Sequence, residues 1–199
     1  MKTPDRIYLV SMNEKKISEV LDYLKYLKDE SNIDINLGVV RCDVTEILDS
    51  DIHKIARCKA LEAFRYTGFP CLVEHGGLFM KDLPNLPGGI GKIIWEAVGD
   101  RMCSFLRDED SREATAVSVI GYCDGRRIRI FQGKTEGYVA TQARGDYTYN
   151  WDPIFVPEGS PQTYGEMGPE KKRATSPSVK AWDDFLKNEL HIESGLINR

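Results

Sequence analysis

Tyr149-Asn-Trp-Asp-Pro-Ile-Phe-Val-Pro-Glu-Gly159, then Gln162-Thr-Tyr-Gly-Glu-Met167, then Glu170-Lys-Lys-Arg-Ala-Thr-Ser176, form the stretch around which this chain is organised. An aromatic–Asp–Pro corner leads into a Pro/Gly turn, an acidic-aromatic patch and a basic helix start. That order suits a pocket that stacks a flat ring, bonds its polar edge and holds an anionic tail. The same residues also suit a surface loop in which Trp151 and Phe155 pack for stability, because large aromatics are commonly core material.

Beyond this stretch, Val179, Trp182, Phe185, Leu186 and Leu190 recur at helical spacing and predict a C-terminal amphipathic helix. Before it, Thr115–Tyr122 and Arg127–Phe131 read as a hairpin with Asp124-Gly125 at its tip, and Lys134–Ala143 as a third antiparallel strand. Leu83–Gly91 reads as a Pro/Gly loop, Lys92–Val98 as a short helix, and Cys103–Leu106 as its continuation.

In the N-terminal half, Arg6–Val10 predicts a strand that turns at Ser11-Met-Asn into a helix with Ile17, Val20, Leu21, Leu24 and Leu27 on one face. Ser11 or Asn13 can cap that helix. Its free N–H groups, with Lys15 or Lys16, suit an anion site; solvated lysines after an ordinary cap are the simpler alternative. Asn32–Val40 alternates as a strand, and Asp51–Tyr66 has a helical apolar face ended by Gly68. Cys71–Val73 reads as a short buried strand ending at Glu74-His75. Adjacent strand residues point to opposite faces, so one of that pair faces a cleft and the other away.

The composition bounds the class. The chain has 199 residues, 41% hydrophobic and 29% charged, which suits one large domain or two lobes of a globular protein. No apolar run approaches the roughly 20 residues of a membrane span, and no signal peptide is visible, so a cytoplasmic setting is expected. The five cysteines are scattered without a CxxC pair, which argues against zinc and for a reduced compartment. A net charge of −4 argues against a nucleic-acid binder, so any anionic ligand needs local lysines or a divalent cation.

Taken together, these motifs resemble the inosine triphosphate pyrophosphatase family over nearly the whole chain. The resemblance is carried by Ser11, Asn13, Lys16 and Glu19; by Glu46; by Glu74-His75-Gly76-Gly77-Leu78; by Leu86-Pro87-Gly88; by Tyr149-Asn150-Trp151-Asp152-Pro153-Ile154-Phe155; by Thr163-Tyr164-Gly165-Glu166-Met167; and by Glu170-Lys171-Lys172. It implies a single α/β domain over residues 1–199, with a long mixed sheet flanked by helices and a nucleotide cleft between two lobes. It further implies binding of ITP, dITP or XTP with Mg²⁺, and hydrolysis to the monophosphate and pyrophosphate. Ser11, Asn13 and Lys16 would hold the phosphates. Glu46 and Glu74 would hold the metal. Tyr149 would stack on the base beside Trp151 and Asp152, with Lys172 and Ser176 reaching the nucleotide.

Two departures change the expectation. His75 stands where the family carries the Asp that assists the metal and activates water. Pro177-Ser178 stand where the family carries a His-Arg pair that reads the base. Binding without turnover would leave this pattern. The chain is therefore expected to be a purine-triphosphate sensor of impaired activity, a homodimer or a complex with an effector protein, as in some bacterial antiviral defence systems with sirtuin-like effectors. The alternative is a working pyrophosphatase in which His75 takes the proton.

Overall fold

β-Branched residues with every second side chain apolar build the first strand, β1 (Ile7–Val10), in which Ile7 and Leu9 are buried. The structure is a computed structural model that describes residues 6–147 and 149–192, with Pro84 and Asn85 described by backbone alone. Helix α1 (Glu14–Ser31) follows, then strand β2 (Leu37–Val40), parallel to β1. The expected strand from Asn32 is shorter because Asn32 ends α1 in the left-handed region at φ 54°, its N–H donating to the Leu27 and Lys28 carbonyls. Helix α2 (Ile52–Thr67) begins at Asp51, whose carboxylate accepts from the His53 and Lys54 N–H groups, and stops at Gly68 with φ 71°.

Strand β3 (Cys71–Met80) does not end at Glu74-His75 as the sequence suggests; it runs straight through the pair. The stretch expected as a Pro/Gly loop is instead β4 (Leu83–Gly88), antiparallel to β3. Helix α3 (Gly91–Val98) leads into a 3₁₀ turn over Gly99–Phe105, where an α-helical continuation was expected. Strands β5 (Glu113–Cys123) and β6 (Ile128–Val139) form the predicted hairpin, with Gly125 at φ 83°. The third strand expected from Lys134 is the continuation of β6; the true neighbour is the short β7 (Phe155–Pro157). Helices α4 (Pro169–Thr175) and α5 (Pro177–Glu189) close the fold.

The sheet order is β2-β1-β3-β5-β6-β7, with β4 paired beside β3. It is mixed: β1 is parallel to β2 and β3, and the pairs beyond are antiparallel. One face buries Leu72, Ile120, Trp182 and Phe185 with the apolar stripe of α1. Helix α2 covers the other, with Ala60 and Ala63 against Val73 and Cys123. A separate cluster of Leu78, Met102, Trp151 and Phe155 fills the far end. The long strands β3, β5 and β6 thus run through two packed ends, and the polar residues identified in the sequence lie between them. Among the described residues, no helix is long and apolar enough to cross a membrane.

Candidate functional site

At the end of β1 the chain turns to begin α1. Ser11 Oγ accepts from the Asn13 N–H at 3.1 Å, and Asn13 Oδ1 accepts from the Lys16 N–H at 3.0 Å. Asn13 is therefore the cap, and its replacement by alanine should cost about 1 kcal/mol, read as a lower urea midpoint at unchanged slope. The Lys16 side chain is buried and donates to the Glu74 carbonyl at 2.9 Å. Burial pushes its ammonium below the usual range, against the opposing field of Glu74. Ser11, Asn13, Lys16, Glu46, Lys59 and His75 line a cavity of about 110 Å³ at this helix start. Lys16, Lys59 and Lys92 face only Asp43 and Glu46 there, so the cavity is locally cationic in an acidic protein.

Strand alternation sends the carboxylate of Glu74 and the ring of His75 to opposite faces of β3. Glu74 turns towards α5, accepting from Ser118 Oγ at 2.8 Å and Trp182 Nε1 at 3.3 Å. It does not meet Glu46, as the expected metal pair requires; those two bonds and its burial hold it on the other face. His75 turns towards α2 and the cationic cavity. Its Nε2 donates to the Gly89 carbonyl at 2.7 Å, and Nδ1 lies 3.5 Å from Glu46 Oε2. Glu46 Oε1 pairs with Lys59. Burial is the main cause that drops the His75 pKa to about 4, so the ring is neutral near pH 7. Burial raises Glu46, but Lys59 outweighs it and holds this carboxylate below its usual range.

The aromatic–Asp–Pro corner builds a second region. Asn150 takes φ 39°, a left-handed turn that asparagine tolerates, and a 3₁₀ turn follows over Asp152–Ile154. Trp151 is buried, and its ring fills the space where a Cβ on Gly91 would come within 2.9 Å. Lys172 Nζ reaches from α4 to Asp152 Oδ2 at 2.5 Å and Glu19 Oε1 at 2.7 Å. It also lies 4.6 Å from the centre of the Tyr149 ring. Burial raises Asp152 to about 6 despite Lys172. Burial lowers Lys172, but Asp152 and Glu19 outweigh it and hold the ammonium above its usual range. Ser176 caps α5, with Pro177 in its first turn, where a missing N–H costs nothing.

Glu74, Ser118, Tyr149, Trp151, Lys172 and Ser178 line a slot of about 40 Å³. Gly76, Tyr149 and Trp151 belong both to the slot and to the cationic cavity. On its other side the slot shares Glu19, Asp152, Tyr164, Lys172, Ser176 and Ser178 with a chamber of about 350 Å³. A continuous cleft therefore runs from a cationic helix start, across two aromatic rings, to a mixed acid–lysine latch.

The structure brings Ser11, Asn13, Lys16, Glu46 and His75 together at one end and Tyr149, Trp151, Asp152, Lys172 and Ser176 at the other. Sequence reading missed Lys59, Ser118 and Trp182. Lys59 sits one turn after Ile55 on α2, a position that could have marked it as cleft-facing. Ser118 and Trp182 carry no such signal, because their role depends on the pairing of β5 with β3 and the packing of α5.

A model of the family described as Ham1 matches residues 7–188. A protein named dITP/XTP pyrophosphatase from Methanopyrus kandleri is 34% identical over 155 residues, covering 77% of this chain and 82% of its own. The inosine triphosphate pyrophosphatase of Puccinia graminis f. sp. tritici is 34% identical over 186 residues, 92% of this chain and 96% of its own. Among solved structures, a HAM1 protein from Coxiella burnetii superposes with a TM-score of 0.76 at 24% identity, covering 94% of this chain and 99% of that one.

Proposed function

The chain belongs to the Ham1 family, and from that premise we propose that its cleft binds a deaminated purine nucleoside triphosphate, of the dITP, ITP or XTP class, and cleaves it to the monophosphate and pyrophosphate. The observation that carries this reading is the sharing of Gly76, Tyr149 and Trp151 between a cationic cavity and an aromatic slot, which lets one molecule present phosphates to the first and a ring to the second. Ser11, Asn13, Lys16 and Lys59 would take the phosphate oxygens, aided by the N–H groups at the start of α1. Tyr149 offers a ring face. Lys172 offers a donor and Asp152 an acceptor to the base edge. The names of the two relatives support the same substrate class and reaction.

Hydrolysis joins a water oxygen to a phosphorus, breaks the bond between the first and second phosphates, and moves one water proton to a base. The acceptors facing the phosphate cavity are Asp43, Glu46 and His75 Nδ1, of which Glu46 and His75 face each other. These two groups would also hold a divalent cation, which when bound supplies charge neutralisation at the phosphates. Among the described residues no three His, Cys, Asp or Glu side chains converge on a metal position, so the protein would supply this pair alone, one carboxylate and one imidazole rather than the all-oxygen set Mg²⁺ favours.

One observation favours a second reading, binding without turnover by a sensor that signals to a partner protein, as in antiviral defence. His75 is buried, neutral near pH 7 and pinned to Gly89, which makes it a weak proton acceptor. Ile93 on α3 and the nearby Leu86 are exposed and offer that partner, or a second copy, an apolar foothold.

Pyrophosphate release and thermal shift with dITP, ITP, XTP and dATP separate these readings. Release at enzyme-like rates with a shift for the deaminated bases supports the pyrophosphatase. A shift of several degrees without release supports the sensor, since a bound ligand stabilises by mass action alone. No shift with any of them removes both.

A further inference from the structure

We propose that Glu46 and His75 form a mixed oxygen–nitrogen cation site that selects a divalent transition ion such as Mn²⁺ over Mg²⁺. The inference deepens the triphosphate reading above and rests on it for the nucleotide that completes the site. The Gly89 carbonyl can only accept, so the 2.7 Å contact places the ring proton on Nε2. Nδ1 then presents a lone pair towards Glu46 Oε2, 3.5 Å away. Two electron-pair donors that face each other at this distance repel unless a proton, a water donating to both or a cation lies between them, and of these a cation gains from both lone pairs at once. Ligand atoms each about 2.1 Å from one ion stand roughly 3 to 3.4 Å apart, so the pair is already close to the bite of a bound cation.

The rest of the site decides which ion. Lys59 occupies the other oxygen of Glu46, which leaves Oε2 for the metal. Glu74 cannot add a second carboxylate, because Ser118 and Trp182 hold it on the opposite face of β3. Asp43 also lines the cavity, but at the facing pair itself the protein contributes one hard oxygen and one imidazole nitrogen. Mg²⁺ demands near-octahedral oxygen ligation and parts with water reluctantly, whereas later first-row ions accept imidazole readily. Lys16 and Lys59 stand beside the pair and disfavour an added cation in the empty cleft. The negative charge of the triphosphate offsets them, so ion and nucleotide are expected to bind together.

The test follows the loss of the free Mn²⁺ electron paramagnetic resonance signal on titration with the full chain, with and without the non-hydrolysable α,β-methylene analogue of dITP. Mg²⁺ is then added as competitor. With the analogue, wild type should retain Mn²⁺ until Mg²⁺ is in an excess on the order of a hundredfold. His75→Asp makes the pair all-oxygen and should lower that excess by on the order of tenfold. Glu46→Gln should release Mn²⁺ altogether. Thermal transitions of each variant confirm folding. An equal Mg²⁺ excess for wild type and His75→Asp overturns the inference, as does full Mn²⁺ retention by Glu46→Gln. If the analogue shifts the melting temperature of no variant with either ion, the triphosphate reading fails separately. The titration repeated with inorganic pyrophosphate as the anion then decides: Mn²⁺ retained by wild type and lost in Glu46→Gln keeps the cation site, and no retention removes it.

Discussion

His75→Asp is expected to raise pyrophosphate release from dITP with Mg²⁺ by on the order of 10²-fold, and to make the melting temperature of the protein depend on that ion. The wild-type ring is a poor base for two reasons that act together. Its pKa of about 4, set mainly by burial, gives little driving force to take a proton near pH 7. Its Nε2 is already engaged with Gly89, so only Nδ1 is available. An aspartate at 75 would face Glu46 across the same gap and bring a charge that a neutral imidazole lacks. The variant also loses the donor to the Gly89 carbonyl, at a cost of about 1–3 kcal/mol, and sets two carboxylates side by side. Mg²⁺ should therefore raise the melting temperature of His75→Asp well above its effect on wild type. The acid limb follows from the same pKa. A lowered folded pKa means that the contribution of neutral His75 is complete above the unfolded value near 6.5 and is lost as pH falls towards 4. That limb should vanish from the pH–stability curve of the variant. Unchanged release would show that His75 does not limit the rate, with Pro177 and Ser178 at the slot the next residues to replace.

Much of this cleft was legible before any coordinates. The Ser11–Asn13 turn, the Asp124-Gly125 hairpin and the aromatic–Asp–Pro corner each carry local chemistry that permits few other conformations. Alternation along β3 placed Glu74 and His75 on opposite faces, but period alone could not say which face held the phosphates. That depended on α5 bringing Trp182 to the Glu74 carboxylate. The break expected between Phe131 and Lys134 falls at Gly133, through which β6 runs unbroken. Glycine inside a strand often marks a close backbone approach, and a Cβ there would lie 2.0 Å from the Pro177 carbonyl at the start of α5. Strand β7 was unreadable for a simpler reason: three residues contain no period. Local signals thus reported the helix caps and the Asp-Gly hairpin, whereas the Pro/Gly-rich stretch from Leu83 pairs with β3 as a strand, which only the distant partner reveals.

The same dependence on distant partners makes Lys172 the most sensitive charge in the cleft. Lys172→Met is expected to destabilise the fold by about 3 kcal/mol near pH 7 and to abolish the thermal shift given by dITP. One ammonium from α4 holds Asp152 from the 3₁₀ corner and Glu19 from α1, at 2.5 and 2.7 Å. The side chains of Lys172 and Asp152 are 14% and 9% exposed, so solvent screens the pair weakly. Methionine keeps the length and apolar stem of lysine, so lost packing contributes little; the loss is that of the cation between two carboxylates. The pH dependence distinguishes this cause from a general loosening. Asp152 has a folded pKa raised to about 6, so its contribution to stability is complete below the unfolded value near 3.8 and is lost as pH rises through 6. Without Lys172 its pKa rises further, and protonation at acid pH relieves the variant. The gap between wild type and Lys172→Met should therefore be small near pH 5 and open as pH rises past 6, in urea unfolding at fixed ionic strength. A gap independent of pH would mean that Lys172 acts through packing on Tyr149 and Tyr164, and that the acid–lysine latch is not what closes the base end of the cleft.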